Sequence, residues 1–309
     1  MDFFDLHCDT LTTAMQNSSD LTEKHLHMHF PIDRKIKKHC QCFAVYCPDM
    51  IRGDDAFNYY TMTKHYFERE LKTLPQYFEQ VHSFADIDRI VSTGKTAAML
   101  TVEGGAVLSG KIENLSTLCN DGVKMMTLTW NGANELGCGR ACPEKGLTPF
   151  GFDVIREMER MGMVIDISHL SDAGVYDVFK TVSAPIAASH SNVRSVCGNM
   201  RNLTDEQFTE MVRRKGIVGI NFYRYFLNDN GENASVHDIA RHIEHMLDLG
   251  GEDIIAMGSD FDGCDLVCGI GGAESMPELY SILKSDGIAE DILEKIFWKN
   301  AYNFFQKMI

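Results

Sequence analysis

Seven residues near the start of the chain, Asp5-Leu6-His7-Cys8-Asp9-Thr10-Leu11, are the first whose types and spacing could do chemistry. The preceding Phe3-Phe4-Asp5-Leu6 is short, apolar-rich and β-prone, which predicts a buried strand ending here. Side chains alternate along a strand, so His7 and Asp9 are expected on one side and Cys8 on the other. An imidazole beside a carboxylate at a strand's C-terminal end suits a borderline-soft divalent ion such as zinc. Alone, a His-x-Asp triplet is a weak signal and reads more readily as a structural pair. What raises it is the recurrence of ligand-type residues at the ends of apolar runs: Glu103, His169, His190 and Asp260. Two nitrogen–oxygen clusters with a carboxylate able to bridge them suggest a two-metal site, with Glu103 offering one oxygen to each ion. Paired ions roughly 3.5–4 Å apart can share a hydroxide and polarise a carbonyl. Asp260 is then either a further ligand or the group that moves a proton, and spacing does not separate the two roles.

Eight apolar stretches have to position these residues: the opening strand, then Cys40–Cys47, Thr96–Val102, Val123–Trp130, Met163–His169, Pro185–His190, Ile217–Tyr223 and Ile254–Asp260. Most are followed by a helical pattern. Apolar and aromatic residues from Asp54 to about His82 fit one helical face, interrupted at Pro75. Pro149 to Met161 is helical and Gly162 ends it; Ser171/Asp172 starts another; Thr204-x-x-Gln207 is a capping box for a helix reaching Lys215. Ser235 to Leu249 is amphipathic, and helical stretches around 277–284 and 289–308 close the chain. Residues 25–38 and the glycine-rich 131–147 read as loops. Hydrophobic runs without clean alternation are what a parallel sheet buried on both faces requires. Eight such units predict an α/β fold of the (β/α)8 TIM-barrel type, with an open doubly wound sheet second. No linker or repeat divides the chain, so one domain, 1–309, is expected. In a barrel the six candidate ligands lie on the side that carries active sites, whereas His237, His242 and His245 are expected on exposed helix surface.

The 309 residues carry 44 acidic and 29 basic side chains, a net charge of −15, which disfavours nucleic acid or an anionic membrane as partner. No apolar stretch approaches the length of a membrane span, and the first strand begins too early for a leader, so a soluble cytoplasmic protein is expected. The ten cysteines then read as reduced thiols, the pairs Cys40/Cys42, Cys138/Cys142 and Cys264/Cys268 lacking structural-zinc spacing.

Six motifs taken together resemble the renal (membrane) dipeptidase family, the M19 metallopeptidases. They are Asp5-Leu6-His7-Cys8-Asp9-Thr10, Val102-Glu103-Gly104, Asp166-Ile167-Ser168-His169, Ala188-Ser189-His190-Ser191, Arg201-Asn202-Leu203-Thr204-Asp205 and Gly258-Ser259-Asp260-Phe261-Asp262-Gly263, in the family's order. The resemblance implies a distorted barrel with a binuclear zinc site that hydrolyses dipeptides. It implies that His7, Asp9 and Glu103 hold one zinc and Glu103, His169 and His190 the other, with Asp260 as acid/base. Arg201 would clamp the substrate's terminal carboxylate, for which a planar guanidinium is suited. Without the family match, Arg201 reads as a solvated surface arginine. Tyr223 matches a substrate-contacting tyrosine and otherwise reads as a core or rim residue. A homodimer is implied in the same way.

One position departs from the family's mammalian pattern, which has a histidine at the end of strand four to stabilise the oxyanion. Here the chain reads Thr127-Leu128-Thr129-Trp130-Asn131-Gly132. Indole has one N–H donor and cannot become cationic, so Asn131 is the candidate substitute donor, and Trp130 and Asn131 are both expected among the substrate-binding residues. Losing an oxyanion donor costs about 2.7–4 kcal/mol, which bears on rate and substrate choice more than on reaction type. Two other readings stand beside the dipeptidase. One is an amidohydrolase-like barrel acting on another amide, a lactone or a phosphoester; its usual bridging lysine is missing, since Lys124 starts its strand rather than ending it. The other is a non-catalytic scaffold that kept the barrel.

Overall fold

Strands that are apolar along their whole length must be covered on both faces, and the computed structural model, which describes residues 1–309, covers them. Nine strands are present: β1 (Phe3–Cys8), β2 (His39–Tyr46), β3 (Phe78–Gln80), β4 (Thr96–Glu103), β5 (Val123–Thr127), β6 (Val164–Asp166), β7 (Ala187–Ala188), β8 (Ile217–Ile220) and β9 (Ile255–Met257). All pair in parallel. β1 joins β2 on one side and β9 on the other, β2 joins β4, and β4 to β9 follow in chain order, closing an eight-stranded barrel. β3 is the strand left over. It pairs with the first half of β4 (Phe78 opposite Thr96), while β5 takes the second half from Leu100 onward, so the barrel is distorted at its lower end.

The helices are α1 (Thr10–Gln16), α2 (Asp54–Thr73), α3 (Phe84–Val91), α4 (Asn114–Asn120), α5 (Pro149–Met161), α6 (Asp172–Thr181), α7 (Asp205–Arg214), α8 (Arg224–Leu227), α9 (Val236–Asp248), α10 (Met276–Ser285), α11 (Glu290–Glu294) and α12 (Asn300–Met308). A π-helical turn, Lys295–Lys299, joins the last two. One buried cluster contains residues from all eight barrel strands, among them Leu6, Cys42, Met99, Met125, Val164, Ala187, Ile217 and Ala256. Phe4, stacked on Phe305 and tilted against Trp298, closes it at the N-terminal end of β1. A larger cluster fills the space between barrel and helices.

The structure departs from the sequence reading at several elements. The helix expected to about His82 stops at Thr73. Proline at 75 lacks the N–H a helix needs, and Phe78 turns into an aromatic cluster with Phe30, Phe43 and Phe67 as part of β3. Helix α3 was not anticipated, although Ser83 and Asp86 form a capping box ahead of Ile87, Ile90 and Val91. From β5 onward the strands are shorter than their apolar runs: β5 ends at Thr127 and β7 has two residues, so most of the polar residues stand on the turns beyond the ladder. Cys138 and Cys142 are paired as a disulfide rather than free, brought together across one turn of the 131–147 loop. His242 is buried, not on exposed surface: its ring lies between the Leu227 carbonyl (3.1 Å) and the Val193 N–H (3.3 Å).

Candidate metal centre

His7 lies near the end of β1, Glu103 ends β4, and His169, His190 and Asp260 stand just beyond β6, β7 and β9. The barrel brings all of them together. Asp9 joins them by a different route from the expected strand alternation. β1 shifts register between Asp5 and Cys8, and Asp9 sits at the N-cap of α1, placing its Oδ2 3.7 Å from His7 Nε2. Glu103 is central. Its Oε2 lies 3.5 Å from His7 Nε2, and its Oε1 lies 2.9 Å from His169 Nε2 and 3.6 Å from His190 Nε2. Asp260 Oδ1 is 4.0 Å from His7 Nε2. His7, Glu103 and His190 form one group with metal-ligand spacing, and His7, Asp9 and Asp260 another.

The ring tautomers follow from the second partner of each histidine. Ser189 Oγ donates to Asp166 Oδ2 (2.5 Å), so it must accept from His190 Nδ1–H (2.8 Å), which leaves a lone pair on Nε2. His169 Nδ1 lies 3.0 Å from Asn131 Oδ1, the matching arrangement. Burial, with Arg201 and His7 nearby, holds both His169 and His190 well below the ordinary imidazole range, so they are neutral ligand-type rings. Burial also opposes protonation of His7, but Glu103 and Asp9 outweigh it and raise that ring. Burial and then Asp9 push the Glu103 carboxyl up, and burial raises Asp260 likewise, against the opposing pull of His7. His7 Nε2, His190 Nε2 and Asp9 Oδ1 are buried without a hydrogen-bond partner, an arrangement costing about 1–3 kcal/mol per group that a bound divalent cation relieves. The donor set therefore fits zinc. His169 and Asp260 are both held at left-handed φ, +65° and +62°, backbone that non-glycine residues adopt at a cost of about 1–3 kcal/mol and that clusters at functional sites.

The supporting residues were not singled out in the sequence, though Asp5, Asp166, Ser168, Ser189 and Ser259 lie inside the motifs. Asp166 accepts from Thr127 Oγ1 (2.5 Å) and from the Ser168 and Ser189 N–H groups (3.0 and 2.9 Å). Asp5 accepts from Ser259 N–H (2.8 Å), Ser259 Oγ (2.5 Å) and Gln41 Nε2 (2.8 Å). Asn221 Nδ2 donates to Asp260 Oδ2 at 2.9 Å, and Asn221 Oδ1 accepts from the Tyr223 N–H at 2.6 Å. Gly219 and Gly258 let β8 and β9 approach this layer, where a Cβ would run into the Ser189 carbonyl oxygen. The readable signal is an aspartate two or three residues before a ligand inside an otherwise apolar strand.

Arg201 is 5% exposed, which corrects the reading of a surface arginine. It lies over the Phe226 ring at 5.3 Å, and its guanidinium nitrogens reach only Ser191 Oγ (3.4 Å) and the His190 carbonyl (3.3 Å). Its guanidinium has no carboxylate to pair with. A cleft of about 520 Å³ opens over the cluster, lined by Trp130, Asn131, His169, Tyr223, Phe226 and Asp260 among others. Tyr223 is thus on the rim of the cleft, as N-cap of α8. A larger hollow, about 1010 Å³, lies near the starts of β1 and β2, lined by Lys35, Lys38, Glu278 and Trp298 among others, and contains none of the clustered donors.

A carboxylate facing three imidazoles at the C-terminal mouth of a parallel barrel is the donor arrangement of a metal-dependent hydrolase. Residues 1–308 match the family model for membrane dipeptidase, peptidase family M19, and the chain belongs to that family; it is a metallo-dipeptidase. It is 33% identical over 228 residues to a Klebsiella pneumoniae protein from the pqqA 5′ region, covering 71% of this chain and 84% of that one. It is 29% identical over 246 residues to dipeptidase tcpJ of Claviceps purpurea, covering 78% of this chain but 58% of the fungal protein. Among solved structures, dipeptidase AC, a metallopeptidase of family M19, superposes with a TM-score of 0.93 at 25% identity over 100% of this chain and 98% of that one. A Rhodobacter sphaeroides metallopeptidase liganded with a phosphinate mimic of L-Ala-D-Ala has the same fold, with a TM-score of 0.93 at 24% identity over 100% and 99% of the two chains.

Proposed function

We propose that the chain is a zinc-dependent dipeptidase that hydrolyses dipeptides carrying a free C-terminal carboxylate. Two zinc ions per subunit would be held, one by His7, Asp9 and Glu103, the other by Glu103, His169 and His190. The observation that carries this reading is the division of Glu103, one oxygen toward His7 and the other toward His169 and His190. Ions bound there supply Lewis acidity, polarising the peptide carbonyl and lowering the pKa of water toward neutrality. Asp260, oriented by Asn221, takes the proton of the attacking water and returns it to the leaving amine. Arg201 pairs bidentately with the substrate carboxylate, and the aromatic rims Trp130 and Tyr223 bound the side-chain space. The partner molecule is the dipeptide. No helix is long and apolar enough to cross a membrane. We place the protein in the cytoplasm as a homodimer of single-domain barrels.

A panel of free dipeptides, their C-terminal amides, a lactone and a phosphoester tests the reading. Turnover of the free dipeptides with amides at least tenfold poorer is expected. Equal turnover of the amides removes the carboxylate clamp, and turnover confined to the lactone or phosphoester selects the broader metal-hydrolase reading.

A further inference from the structure

We propose that the Asn131 side-chain amide is a catalytic donor to the developing oxyanion, while its oxygen fixes the tautomer of His169. The inference rests on the dipeptidase reading above. His169 offers Nε2 toward Glu103 Oε1, at 2.9 Å, and Nδ1 toward Asn131 Oδ1, at 3.0 Å. When Nε2 serves a cation with its lone pair, the ring proton sits on Nδ1, so Asn131 must accept there through Oδ1. That commitment decides which end of the amide remains. The NH2 group is left as donor, on a residue that lines the cleft directly above the cluster.

The backbone around Asn131 is pinned from three sides. Gly132 N–H donates to Asp49 Oδ2 at 2.6 Å, and the Asn131 carbonyl accepts from Ala141 N–H at 2.9 Å. On the third side, Gly139 packs so closely that a Cβ there would strike the Trp130 and Asn131 carbonyl oxygens. A donor held by its own backbone and by a ligand ring needs no reorganisation when charge develops, which is the condition for effective oxyanion stabilisation. The neighbouring Trp130 is the rival. Its ring is set edge-on to Tyr46, with centroids 5.1 Å apart at 70°, but no hydrogen bond to a ligand ring orients it.

Asn131→Asp separates the two duties, since it keeps an acceptor for His169 Nδ1–H and deletes the N–H donor. In metal-replete protein we expect kcat to fall about 100-fold with KM within threefold, and affinity for a phosphinate dipeptide analogue to fall by a similar factor. Zinc content is expected to be unchanged, and affinity for the intact dipeptide measured under metal-free conditions likewise. Asn131→Ala loses the acceptor too and is expected to lower zinc affinity in addition. Wild-type kcat in Asn131→Asp, or a lost rate with phosphinate affinity intact, overturns the proposal. Phosphinate affinity lost in Trp130→Phe but kept in Asn131→Asp moves the role to the indole. If wild-type protein turns over no dipeptide, the dipeptidase reading itself has failed, an outcome distinct from either.

Discussion

Ser189 turns one buried aspartate into the orientation of a ligand ring. Its hydroxyl hands its proton to Asp166 and so receives the proton of His190 Nδ1. Ser189→Ala removes that acceptor without adding bulk, and outer partners of this kind typically contribute 10–100-fold to metal affinity. A loss of that size in zinc titration, with unchanged far-UV circular dichroism, is expected; unchanged zinc affinity would show that packing alone holds the ring. Arg201→Ala should raise KM for free dipeptides more than it lowers kcat, and Arg201→Lys should not restore it, because an ammonium cannot form the bidentate pair. The ligand-type residues were legible because imidazoles and carboxylates at the ends of apolar runs are conspicuous. Asp166, Asp5, Ser189 and Asn221 were not, because a buried serine or asparagine is read from its partner, and the partners of Asp5 lie 36 and 254 positions away.

Among the elements, the loop 131–147 bears most on the site. It is anchored to the barrel rim by Gly139 and by Asp172, which accepts from Arg140, Arg194 and Gln207 at once. Gly139→Ala forces the Trp130–Asn131 backbone to move and is expected to lower activity at least tenfold while leaving the barrel folded, read by kinetics beside circular dichroism. Asp172→Ala leaves Arg140, whose side chain is 7% exposed, without its carboxylate. Stranding a buried charge costs about 3–5 kcal/mol, to be read from denaturant unfolding. A loss below 1 kcal/mol would mean that water reaches the guanidinium. Long apolar runs identified all eight barrel strands, but not β3. Its three residues are too few for a pattern, and their strand state depends on the edge of β4 that β5 leaves unpaired. The disulfide between Cys138 and Cys142 was missed for a related reason: thiol usage was judged for the whole chain, whereas pairing depends on one local turn.

The whole molecule has its chemistry at one end and an aromatic closure of Phe4, Trp298 and Phe305 at the other, and the far end has its own pH response. His39, at the start of β2, stacks on Phe3 at 5.6 Å and meets Thr96 Oγ1 at 2.9 Å. Burial lowers this imidazole from 6.5 to about 3. The unfolded chain therefore takes up a proton in that window that the folded chain refuses. This contribution to stability is complete above pH 6.5 and is lost as pH falls toward 3. His39→Phe is expected to flatten the slope of unfolding free energy against pH across that window, and equal slopes for the two proteins would refute the assignment. The fold, by contrast, was readable at this scale, since parallel strands buried on both faces leave few architectures open.

Zinc titration of metal-stripped protein, with dipeptide hydrolysis followed at each addition, tests the central claim most directly. Activity should be absent after chelation, rise with added zinc and saturate at two ions per chain, with Glu103→Gln unable to retain both. Undiminished hydrolysis in metal-free protein, or full activity with Glu103 replaced, would contradict it.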